Sequence, residues 1–453
     1  MTRRNVGIVG GGPGGLFTAW LLGTRAAVPP RITLFEAGDR LGGKIVTGRF
    51  ATGDRYEVGA AEFYDYSVHD TDPLREMVEA FGLPIVEMGG AAVVLDGRVI
   101  GNVEQVRERL GPEAADALAA FDVRAKARIS PEEFYAAGSL PGSTEPGTFA
   151  DVLDTVGERS ARRYLETLVH SDLATEPGRT SAEYGLHNYL MNDPRYMRLY
   201  CIAGGNEQLV DALVARIDAT VHLRTPVVEV GRGADGRIEL TTAGPRGGRT
   251  EAFDVVVLAL PHDRLGGLRF LGRRLEAAFD RHVERHDHPA HYLRITVLFD
   301  RPFWRGLVNE SFFMLDRFGG CCLYDESARA PDSGTAALGW LLGGAEAERL
   351  AVRGDEELVS LMLESLPEPL ASARGRVLES RVHRWVRAVS ALPGGWPPTT
   401  LDERHRPEPI EHPGLFVVGD YLFDSTLNGV LDSADHVAGW VAALDAVPAG
   451  TAT

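Results

Sequence analysis

Cysteine is scarce in this chain of 453 residues, and its scarcity removes two classes of structure. The three cysteines are Cys201, Cys321 and Cys322, and no two of them form a C-x-x-C pair. This pattern argues against a disulfide framework and against a structural zinc site. Because Cys321 and Cys322 are neighbours, two interpretations stay open: a strained vicinal disulfide, or two small buried thiols.

Long apolar runs and clusters of basic residues are lacking as well. No apolar stretch reaches the roughly 18 residues that a membrane-spanning helix needs. Acidic residues number 64 and basic residues 47, which gives a formal net charge of −17. A surface of that sign repels nucleic-acid phosphates and anionic lipids. We therefore expect no nucleic-acid partner, no membrane partner and a cytoplasmic location.

Other aspects of the composition are ordinary for a globular protein, with 44% hydrophobic and 25% charged residues. A chain of this length is too long for one simple core and suits two domains.

A glycine-rich segment stands near the start of the chain. Residues 5–22, NVGIVGGGPGGLFTAWLL, predict a buried strand, a tight turn and a helix. Gly10, Gly12 and Gly15 have the G-x-G-x-x-G spacing, and Gly14 lies in the same loop. Such glycines permit the turn, a close approach of the backbone to a diphosphate, and tight packing of the helix on the strand. The helix N-terminus then favours negative charge, so the segment predicts phosphate binding.

A second predicted strand, residues 32–35, ends at Glu36. Glu36 follows Gly15 by 21 residues, close to the spacing of about 20 that places a carboxylate on the ribose hydroxyls of a dinucleotide. A carboxylate at this position disfavours a ribose 2′-phosphate. The two elements together predict a dinucleotide site, with NADP as the least favoured ligand.

Residues 36–44, EAGDRLGGK, match the E-A-x-x-R-x-G-G-[RK] signature of the flavin-containing amine oxidase superfamily, which the chain resembles. The resemblance implies that the dinucleotide is FAD. It implies that Gly42 and Gly43 continue the contact with the FAD diphosphate, that Arg40 supplies positive charge there, and that Lys44 belongs to the same contact region.

The resemblance extends to residues 414–440, GLFVVGDYLFDSTLNGVLDSADHVAGW, which are similar to the closing motif of the superfamily. There Asp420, after Gly419, would contact the ribityl or diphosphate part of FAD. The backbone that starts at Leu427 and Asn428 would face the pyrimidine ring of the flavin, and Val430 would also lie against the cofactor. N–H groups at a helix start stabilise negative charge on a reduced flavin.

Three further segments complete the implied cofactor site. Gly59 and Ala60 belong to YEVGAAEFYDY (residues 56–66), which resembles a segment that passes beside the flavin. Val227 matches the residue whose backbone meets the adenine. Trp396 stands where some relatives have a cysteine bound covalently to the flavin, so we expect FAD to be held non-covalently.

The predicted fold class is α/β, with a discontinuous Rossmann-like FAD-binding domain and an α+β substrate-binding domain. The FAD-binding domain is predicted to comprise residues 1–75, 196–290 and 405–446. The substrate-binding domain would then comprise residues 76–195 and 291–404. Residues 447–453 are expected to form a flexible tail.

Three residues are candidates for the chemistry. Glu62 stands where relatives carry an aromatic residue, and it would serve as a catalytic base or ammonium anchor, or form a salt bridge to a local arginine. Arg294 replaces the lysine that in relatives holds a water against flavin N5. It would stabilise an anionic flavin, pair with Glu62 or a substrate carboxylate, or lie on an exposed strand face. Tyr184 would reach the pocket from the helical domain or belong to its packing.

Two other aromatic or histidine-rich features carry weaker interpretations. Trp385 and Trp396 would wall the substrate face of the flavin or belong to the core. The segment HVERHDHPAH holds four histidines: His282, His286, His288 and His291. No cysteine or carboxylate cluster accompanies them, so we predict no metal site.

The leading functional hypothesis is an FAD-dependent oxidoreductase that oxidises a C–N bond of a small amine, amide or amino-acid-like molecule. Hydride would go to flavin N5, and the imine would be hydrolysed or captured in a cyclisation. The missing lysine suggests a specialised substrate, as in secondary metabolite biosynthesis. O2 or another acceptor would reoxidise the flavin, and a homodimer is an open possibility.

Three alternatives compete with this hypothesis. The first is an FAD-dependent C–C desaturase of the phytoene desaturase or protoporphyrinogen oxidase type. A redox-neutral flavoenzyme of the sugar-mutase kind, and a non-catalytic binding protein similar to the GDP-dissociation inhibitors, are less favoured.

Overall fold

A computed structural model describes residues 3–102, 104–136, 147–244, 248–308, 310–329, 334–397 and 399–446, so the predicted tail 447–453 lies outside the described residues. The strands are β1 (Asn5–Val9), β2 (Arg31–Phe35), β3 (Thr47–Arg49), β4 (Arg55–Glu57), β5 (Phe63–Asp65), β6 (Ile85–Met88), β7 (Val93–Leu95), β8 (Arg98–Ile100), β9 (Arg198–Ile202), β10 (Ala219–His222), β11 (Val227–Arg232), β12 (Ile238–Thr242), β13 (Arg249–Phe253), β14 (Val255–Leu258), β15 (Arg269–Phe270), β16 (Pro289–Phe299), β17 (Phe312–Leu315), β18 (Cys321–Asp325), β19 (Ala336–Gly343), β20 (Val377–Ser390) and β21 (Leu415–Val417).

The α-helices are α1 (Pro13–Arg25), α2 (Pro73–Ala80), α3 (Glu104–Leu110), α4 (Pro112–Arg128), α5 (Pro131–Ala136), α6 (Phe149–Asp154), α7 (Arg159–Leu173), α8 (Ala182–Leu190), α9 (Glu207–Val214), α10 (His262–Leu265), α11 (Arg273–His286), α12 (Gly344–Leu350), α13 (Asp355–Ser365), α14 (Leu401–His405) and α15 (Leu427–Ala446). Short 3₁₀ helices cover Pro177–Arg179, Glu326–Arg329, Glu368–Gly375 and Asp420–Leu422.

The chain forms two compact units, each assembled from separate stretches. The first unit comprises Met1–Ile45, Leu209–His288 and Pro398–Thr453. The second comprises Val46–Gln208 and Pro289–Pro397.

The first unit is built on a parallel sheet with the strand order β10-β2-β1-β14-β21. Its inner strands are short apolar runs, as expected for strands that are covered on both faces. Helix α1 follows β1 directly, and α15, at the other end of the chain, packs along α1. A second sheet in this unit has the order β13-β12-β11-β15, with its three longer strands antiparallel.

The second unit is organised around a sheet with the order β20-β16-β19-β18-β17-β7-β8. Successive side chains of its strands face opposite sides, which places two apolar clusters against the two faces. In β18, Cys321 and Leu323 pack into one cluster, while Cys322 and Tyr324 pack into the other, together with residues of α4, α7 and α8. All three cysteines are free thiols, so the vicinal disulfide is excluded. Because side chains alternate along β18, the thiols of Cys321 and Cys322 lie on opposite faces of the sheet.

The boundaries of the two compact units differ from the predicted domain boundaries. The predicted FAD-binding domain includes residues 46–75, 196–208 and 289–290, but these belong to the second unit, and residues 399–404 of the predicted substrate-binding domain belong to the first. The cause is strand pairing: β9 lies between β5 and β6 in a small antiparallel sheet, and β3 pairs with β4. Sequence motifs do not encode such pairing between distant segments.

Within the described residues, none of the helices combines the length and the apolar composition that crossing a membrane requires.

Candidate active site

The glycine loop of the first unit has space on one side and tight packing on the other. Gly10 has a φ of 107°, and a Cβ there would lie 2.3 Å from the carbonyl oxygen of Ala259. A Cβ on Gly15 would lie 2.0 Å from the carbonyl oxygen of Gly10, so the helix packs against the loop as only glycine permits. A Cβ on Gly12 would meet nothing closer than the Cα of Gly43, at 3.8 Å. The open side of the loop is therefore at Gly12.

Glu36 is held at the edge of this loop by backbone N–H groups. The N–H of Gly11 donates to Glu36 Oε2 at 2.8 Å, and the N–H of Gly38 donates to Oε1 at 2.7 Å. The carboxylate predicted to bind ribose hydroxyls is thus fixed beside the predicted diphosphate loop.

The second glycine segment lies directly on the first. The N–H of Gly42 donates to the carbonyl of Gly11 at 2.8 Å, and a Cβ on Gly43 would lie 2.9 Å from the Cα of Gly12. Arg40 is exposed and donates from Nη1 to the carbonyl of Leu41 at 2.9 Å. Lys44 follows in the same turn and is half-buried. The fold therefore gathers both glycine motifs into one surface.

The closing motif reaches the same region of the first unit. A Cβ on Gly14 would lie 3.1 Å from Val418 and 3.5 Å from Val430, so the start of α1 packs against this motif. The N–H of Gly419 donates to Ser433 Oγ at 3.1 Å.

The remaining predicted cofactor residues divide between the two units. Asp420 begins a 3₁₀ helix, Leu427 and Asn428 begin α15, and Val227 begins β11, all in the first unit. Gly59, Ala60 and Trp396 belong to the second unit, where the carbonyl of Ala60 accepts a hydrogen bond from Asn206 Nδ2 at 3.0 Å. Of the closing motif, Val430 is the predicted cofactor residue whose side chain lies near the glycine loop, and the cofactor contacts of the other residues stay predictions.

A small pocket, partly open to solvent, lies within the second unit. Strand alternation explains much of its wall: Glu62 and Tyr64 face it while Phe63 packs away from it against Tyr200. Its lining consists of acids, phenols, an amide, a thiol and apolar groups: Glu62, Tyr64, Asp172, Met191, Asn192, Met197, Leu199, Phe312, Met314, Cys322 and Tyr324.

Glu62 is the predicted catalytic residue that this pocket contains. Tyr324 donates a hydrogen bond to its carboxylate, and Oε2 has no hydrogen-bond partner among the described residues. Burial raises the pKa of Glu62 above its ordinary value, although the hydrogen bond from Tyr324 and the charge of Arg294 oppose the increase. A carboxylate of raised pKa is suited to accept a proton near neutral pH.

Asp172, near the end of α7, is a second acid in this pocket, and sequence reasoning missed it. Burial and the nearby charge of Glu62 raise the pKa of Asp172 to about 8. The hydroxyl of Tyr292 donates to the Asp172 backbone carbonyl at 3.4 Å. No signal in the sequence marks it, because an acid near the end of an amphipathic helix is ordinarily exposed to solvent.

The phenols around the two acids stay neutral donors. Burial raises the pKa of Tyr64, Tyr292 and Tyr324 well above the ordinary value, and the charges of Asp172 and Glu62 add to the effect. Neutral phenols next to carboxylates can donate hydrogen bonds, and their rings can face a cation.

Arg294 has a different partner from the one proposed on sequence grounds. Its Nη2 donates to Glu326 Oε1, not to Glu62, and both side chains are buried, so it is not on an exposed strand face. The guanidinium lies 5.0 Å from the ring centre of Tyr324. Arg294 does not line the pocket but lies behind Tyr324.

The Arg294–Glu326 pair belongs to a larger buried cluster. Arg329 Nη1 donates to Glu326 Oε2 at 2.5 Å, and Arg329 Nε lies 3.3 Å from Glu57 Oε1. Burial raises the pKa of Glu57 to about 7, while the charge of Arg329 opposes the increase. Arg329 also donates to the carbonyl of Ala61, next to Glu62. This cluster holds the segment that carries Glu62 in place. Its two arginines are paired with carboxylates within the cluster.

The other predicted residues lie elsewhere. Tyr184, on α8, is buried in the helical cluster and is not among the pocket-lining residues. Trp385 Nε1 donates to the carbonyl of Val58 at 2.7 Å.

The histidines of residues 282–291 do not gather into a metal-binding set. Among the described residues there is no group of three or more histidine, cysteine or acidic side chains arranged to hold a metal. His282 and His286 instead pack edge-to-face with Tyr421, with ring centres 6.1 and 5.2 Å from the centre of the phenol ring.

Comparisons with known proteins give one family and several structural relatives. Residues 13–442 match the profile of the family described as flavin containing amine oxidoreductase. The coproporphyrinogen III oxidases of Mycobacterium tuberculosis and Mycobacterium bovis are each 28% identical over 296 residues, which cover 59% of this chain and 61% of theirs. The match thus spans less than two thirds of the length of these relatives.

Solved structures resemble the chain over nearly its whole length. A triple mutant of putrescine oxidase superimposes with a TM-score of 0.73 at 17% identity, covering 98% of this chain and 99% of that one. Cyclohexylamine oxidase from Brevibacterium oxydans gives 0.73 at 19% identity, covering 98% and 100%. A candidate protoporphyrinogen oxidase from an Exiguobacterium species gives 0.70 at 21% identity, also covering 98% and 100%. These likenesses confirm the predicted fold class.

Proposed function

The chain belongs to the flavin containing amine oxidoreductase family, and we propose that it oxidises a carbon–nitrogen bond of a small amine that is positively charged in solution. The chain is an FAD-dependent oxidoreductase, and FAD, when bound, would supply the acceptor for the hydride that leaves the carbon beside the nitrogen.

The residues of the first unit fit a dinucleotide. The open side of the loop at Gly12 leaves room for a diphosphate against the backbone. Helix α1 has no side-chain cap among the described residues, so its first N–H groups are available to an anion. Glu36 would bind the ribose hydroxyls. Non-covalent attachment rests on Trp396, which offers no nucleophile to the flavin.

The acidity of the pocket is the observation that carries the proposal. Two carboxylates line it, and the described lining contains no lysine, arginine or histidine. Buried carboxylates that form no ion pair among the described residues favour a positively charged ligand, and the rings of Tyr64 and Tyr324 add favourable contacts to a cation.

Glu62 would take a proton from the ammonium group of the substrate. The neutral nitrogen can then donate its lone pair as the neighbouring carbon loses a hydride, which carries two electrons to FAD. The product is an iminium ion, which water hydrolyses or an internal nucleophile captures in a cyclisation. O2 or another two-electron acceptor would remove the electrons from the cofactor.

Arg294 would act from behind Tyr324. Its charge lowers the pKa of Glu62 against the effect of burial, and its ion pair with Glu326 fixes its position. An arginine does not release its proton in this environment, so we assign it an electrostatic role and no proton transfer.

A second candidate function is the oxidation of carbon–carbon bonds in a porphyrinogen. The 28% identity to coproporphyrinogen III oxidases favours it. Coproporphyrinogen carries several carboxylates, however, and the described lining of the pocket contains no lysine, arginine or histidine to pair with them. We therefore place amine oxidation first.

The deciding experiment is anaerobic bleaching of the flavin absorbance of the purified holoenzyme. The substrate panel would contain primary and secondary amines, amino acids, acylated amines, coproporphyrinogen III and polyenes. Bleaching by cationic amines alone is the expected result. Bleaching by coproporphyrinogen or polyenes, with none by any nitrogen compound outside the tetrapyrroles, would replace the proposal with the second candidate. A specialised biosynthetic substrate, a cytoplasmic location and a homodimer stay predictions from the sequence.

A further inference from the structure

We propose that Glu57 is a positioning residue for the proton transfer at Glu62, and that it acts through Asn206 and Arg329, which hold the backbone immediately before Glu62. This inference rests on the proposed function, in which Glu62 takes a proton from the substrate. It adds a carboxylate that does not line the pocket to the groups that control the reaction.

The backbone that carries Glu62 has no regular secondary structure of its own, because it lies between β4 and β5. Two side chains from distant parts of the chain bind consecutive carbonyls there. Asn206 Nδ2 donates to the carbonyl of Ala60 at 3.0 Å, and Arg329 donates from Nη2 to the carbonyl of Ala61. In the absence of strand pairing at these residues, the two bonds set the direction in which the Glu62 side chain leaves the backbone.

Both donors are bound by the same carboxylate. The N–H of Asn206 donates to Glu57 Oε1 at 2.9 Å, and Arg329 Nε lies 3.3 Å from the same oxygen. The hydroxyl of Thr47 lies 3.2 Å from each oxygen of Glu57 and fixes the carboxylate in turn. Glu57, Asn206 and Arg329 are all buried, so bulk water does not replace a lost partner. Removal of the carboxylate would therefore loosen both donors at once.

Glu57 also compensates a charge that acts on Glu62. The positive charge of Arg329 lowers the pKa of Glu62 against the effect of burial. Ionised Glu57, beside Arg329, reduces the net positive charge that Glu62 experiences. Burial raises the pKa of Glu57 to about 7, while Arg329 opposes the increase. The compensating charge is therefore present above neutral pH and lost below it.

The charged surroundings of the two acids overlap. The ionisable groups that face Glu57 are Arg294 of β16, Glu326 and Arg329 of the 3₁₀ helix, and the thiol of Cys201 on β9. Those that face Glu62 are Tyr64, Asp172, Arg294, Tyr324, Glu326 and Arg329. Because Glu326 pairs with both arginines, Glu57 supplies the second negative charge for two guanidinium groups. A change of charge at Glu57 is thus transmitted to Glu62 through Arg329.

The first test is anaerobic flavin reduction of the holoenzyme with an amine that reduces the wild type. For Glu57→Gln, we expect the limiting rate to fall roughly tenfold or more, because the proton acceptor is displaced. The half-saturating concentration should change much less, since Glu57 does not line the pocket. Glu57→Asp keeps the charge and should recover part of the rate. The matched control is Asp316→Asn in the same unit: the Asp316 side chain is 4% exposed and accepts from Arg163 and from the N–H of Asp96.

Infrared titration of the Glu62 carboxyl gives a readout that needs no substrate. The carboxyl band is identified by its loss in Glu62→Gln, and its midpoint is followed with pH in the holoenzyme. In Glu57→Gln the midpoint should fall by about one pH unit, because the charge of Arg329 is less compensated. In Asp316→Asn the midpoint should equal that of the wild type. An unchanged midpoint in Glu57→Gln would overturn the inference.

Asn206→Ala tests the same connection if Glu57→Gln does not fold. It should slow flavin reduction, whereas Asn188→Ala should not, although Asn188 is as deeply buried and its Nδ2 also donates to a backbone carbonyl, at 2.8 Å. Equal rate losses in these two variants would contradict the assigned role. If no amine reduces the flavin of the wild type, the proposed function is wrong, and the infrared midpoint still decides whether Glu57 acts on Glu62.

Discussion

Arg294 and Glu326 form an ion pair in which both side chains are almost completely buried. The pair lies at the contact between β16 and the 3₁₀ helix Glu326–Arg329, and it connects to Glu57 through Arg329. Arg329 also donates to the carbonyl of Ala61, so these ion pairs help to hold the segment that carries Glu62 in position. The arginine that replaces a lysine of relatives is thus part of the structure of the pocket as well as a source of charge.

Glu326→Gln should destabilise the protein strongly. The change leaves two buried guanidinium groups with one carboxylate between them, and breaking such a buried pair costs about 3–5 kcal/mol of unfolding free energy. Urea unfolding of the holoenzyme measures the loss. Glu357→Gln is the control, because Glu357, at the start of α13, pairs with Arg353 in the preceding turn, and exposed pairs of this kind contribute about 0.2–1 kcal/mol. Equal losses in the two variants would contradict the assigned role of the cluster.

Gly12→Ala should lower the flavin content of the purified protein without unfolding it. A Cβ at Gly12 meets open space in the protein alone, but it would occupy the position that the diphosphate needs. Gly15→Ala should fail to fold, because its Cβ would lie 2.0 Å from a backbone oxygen. The ratio of flavin to protein absorbance reports binding, and circular dichroism reports folding. Gly23→Ala, with nothing within 4 Å of the added Cβ, serves as the control. Full flavin content in Gly12→Ala would place the cofactor elsewhere.

Glu62→Gln should slow anaerobic flavin reduction by roughly 10²-fold or more while FAD stays bound. The amide keeps the shape of the side chain but cannot accept the proton. Stopped-flow absorbance measures the limiting rate, and the flavin content of the variant serves as the control. A rate near that of the wild type would return Glu62 to a purely structural role.

His282→Leu should reduce the sensitivity of the first unit to acid. Burial lowers the pKa of His282 to about 4, and the charge of Arg285 adds to the decrease. Below pH 6.5 the unfolded chain therefore binds a proton that the folded protein excludes, and stability falls as the pH falls. Between pH 7 and pH 5 this residue accounts for a loss of about 2 kcal/mol.

Between pH 7 and pH 5, the unfolding free energy of the leucine variant should fall by about 2 kcal/mol less than that of the wild type. Neutral histidine also contributes no hydrogen bond from Nε2 among the described residues, so an apolar replacement sacrifices little. Urea titrations at pH 7 and pH 5, on both proteins, measure the difference. Parallel pH profiles would show that His282 does not titrate on unfolding.

The cofactor half of the molecule could be predicted from sequence because its signals are local. The spacing of Gly10, Gly12 and Gly15, followed by Glu36, is dictated by backbone geometry within a single β-turn-α-β segment. The family, the fold class and the FAD cofactor are accordingly confirmed. The individual cofactor contacts of these residues stay predictions, although the fold gathers those of the first unit on one surface.

The catalytic half was predicted only in part. Glu62 was found because it departs from the pattern of the resembling family, and the structure places it in the pocket. Tyr184 was proposed from its position in a helix, but helical periodicity does not distinguish a pocket-facing phenol from a core phenol. Asp172, Tyr324 and Glu326 carry no local signal, since each acquires its role from a neighbour far along the chain.

The nucleotide-binding turns follow from local sequence, because glycine spacing and strand–helix order constrain the backbone there. The pairing of charges depends instead on long-range packing. Whether Arg294 meets Glu62 or Glu326, and whether Asp172 faces solvent or the pocket, depends on how β16, β18 and α7 pack across the second unit. Burial then raises the pKa of the two pocket acids, because desolvation penalises a charge according to its surroundings and not its position in the chain.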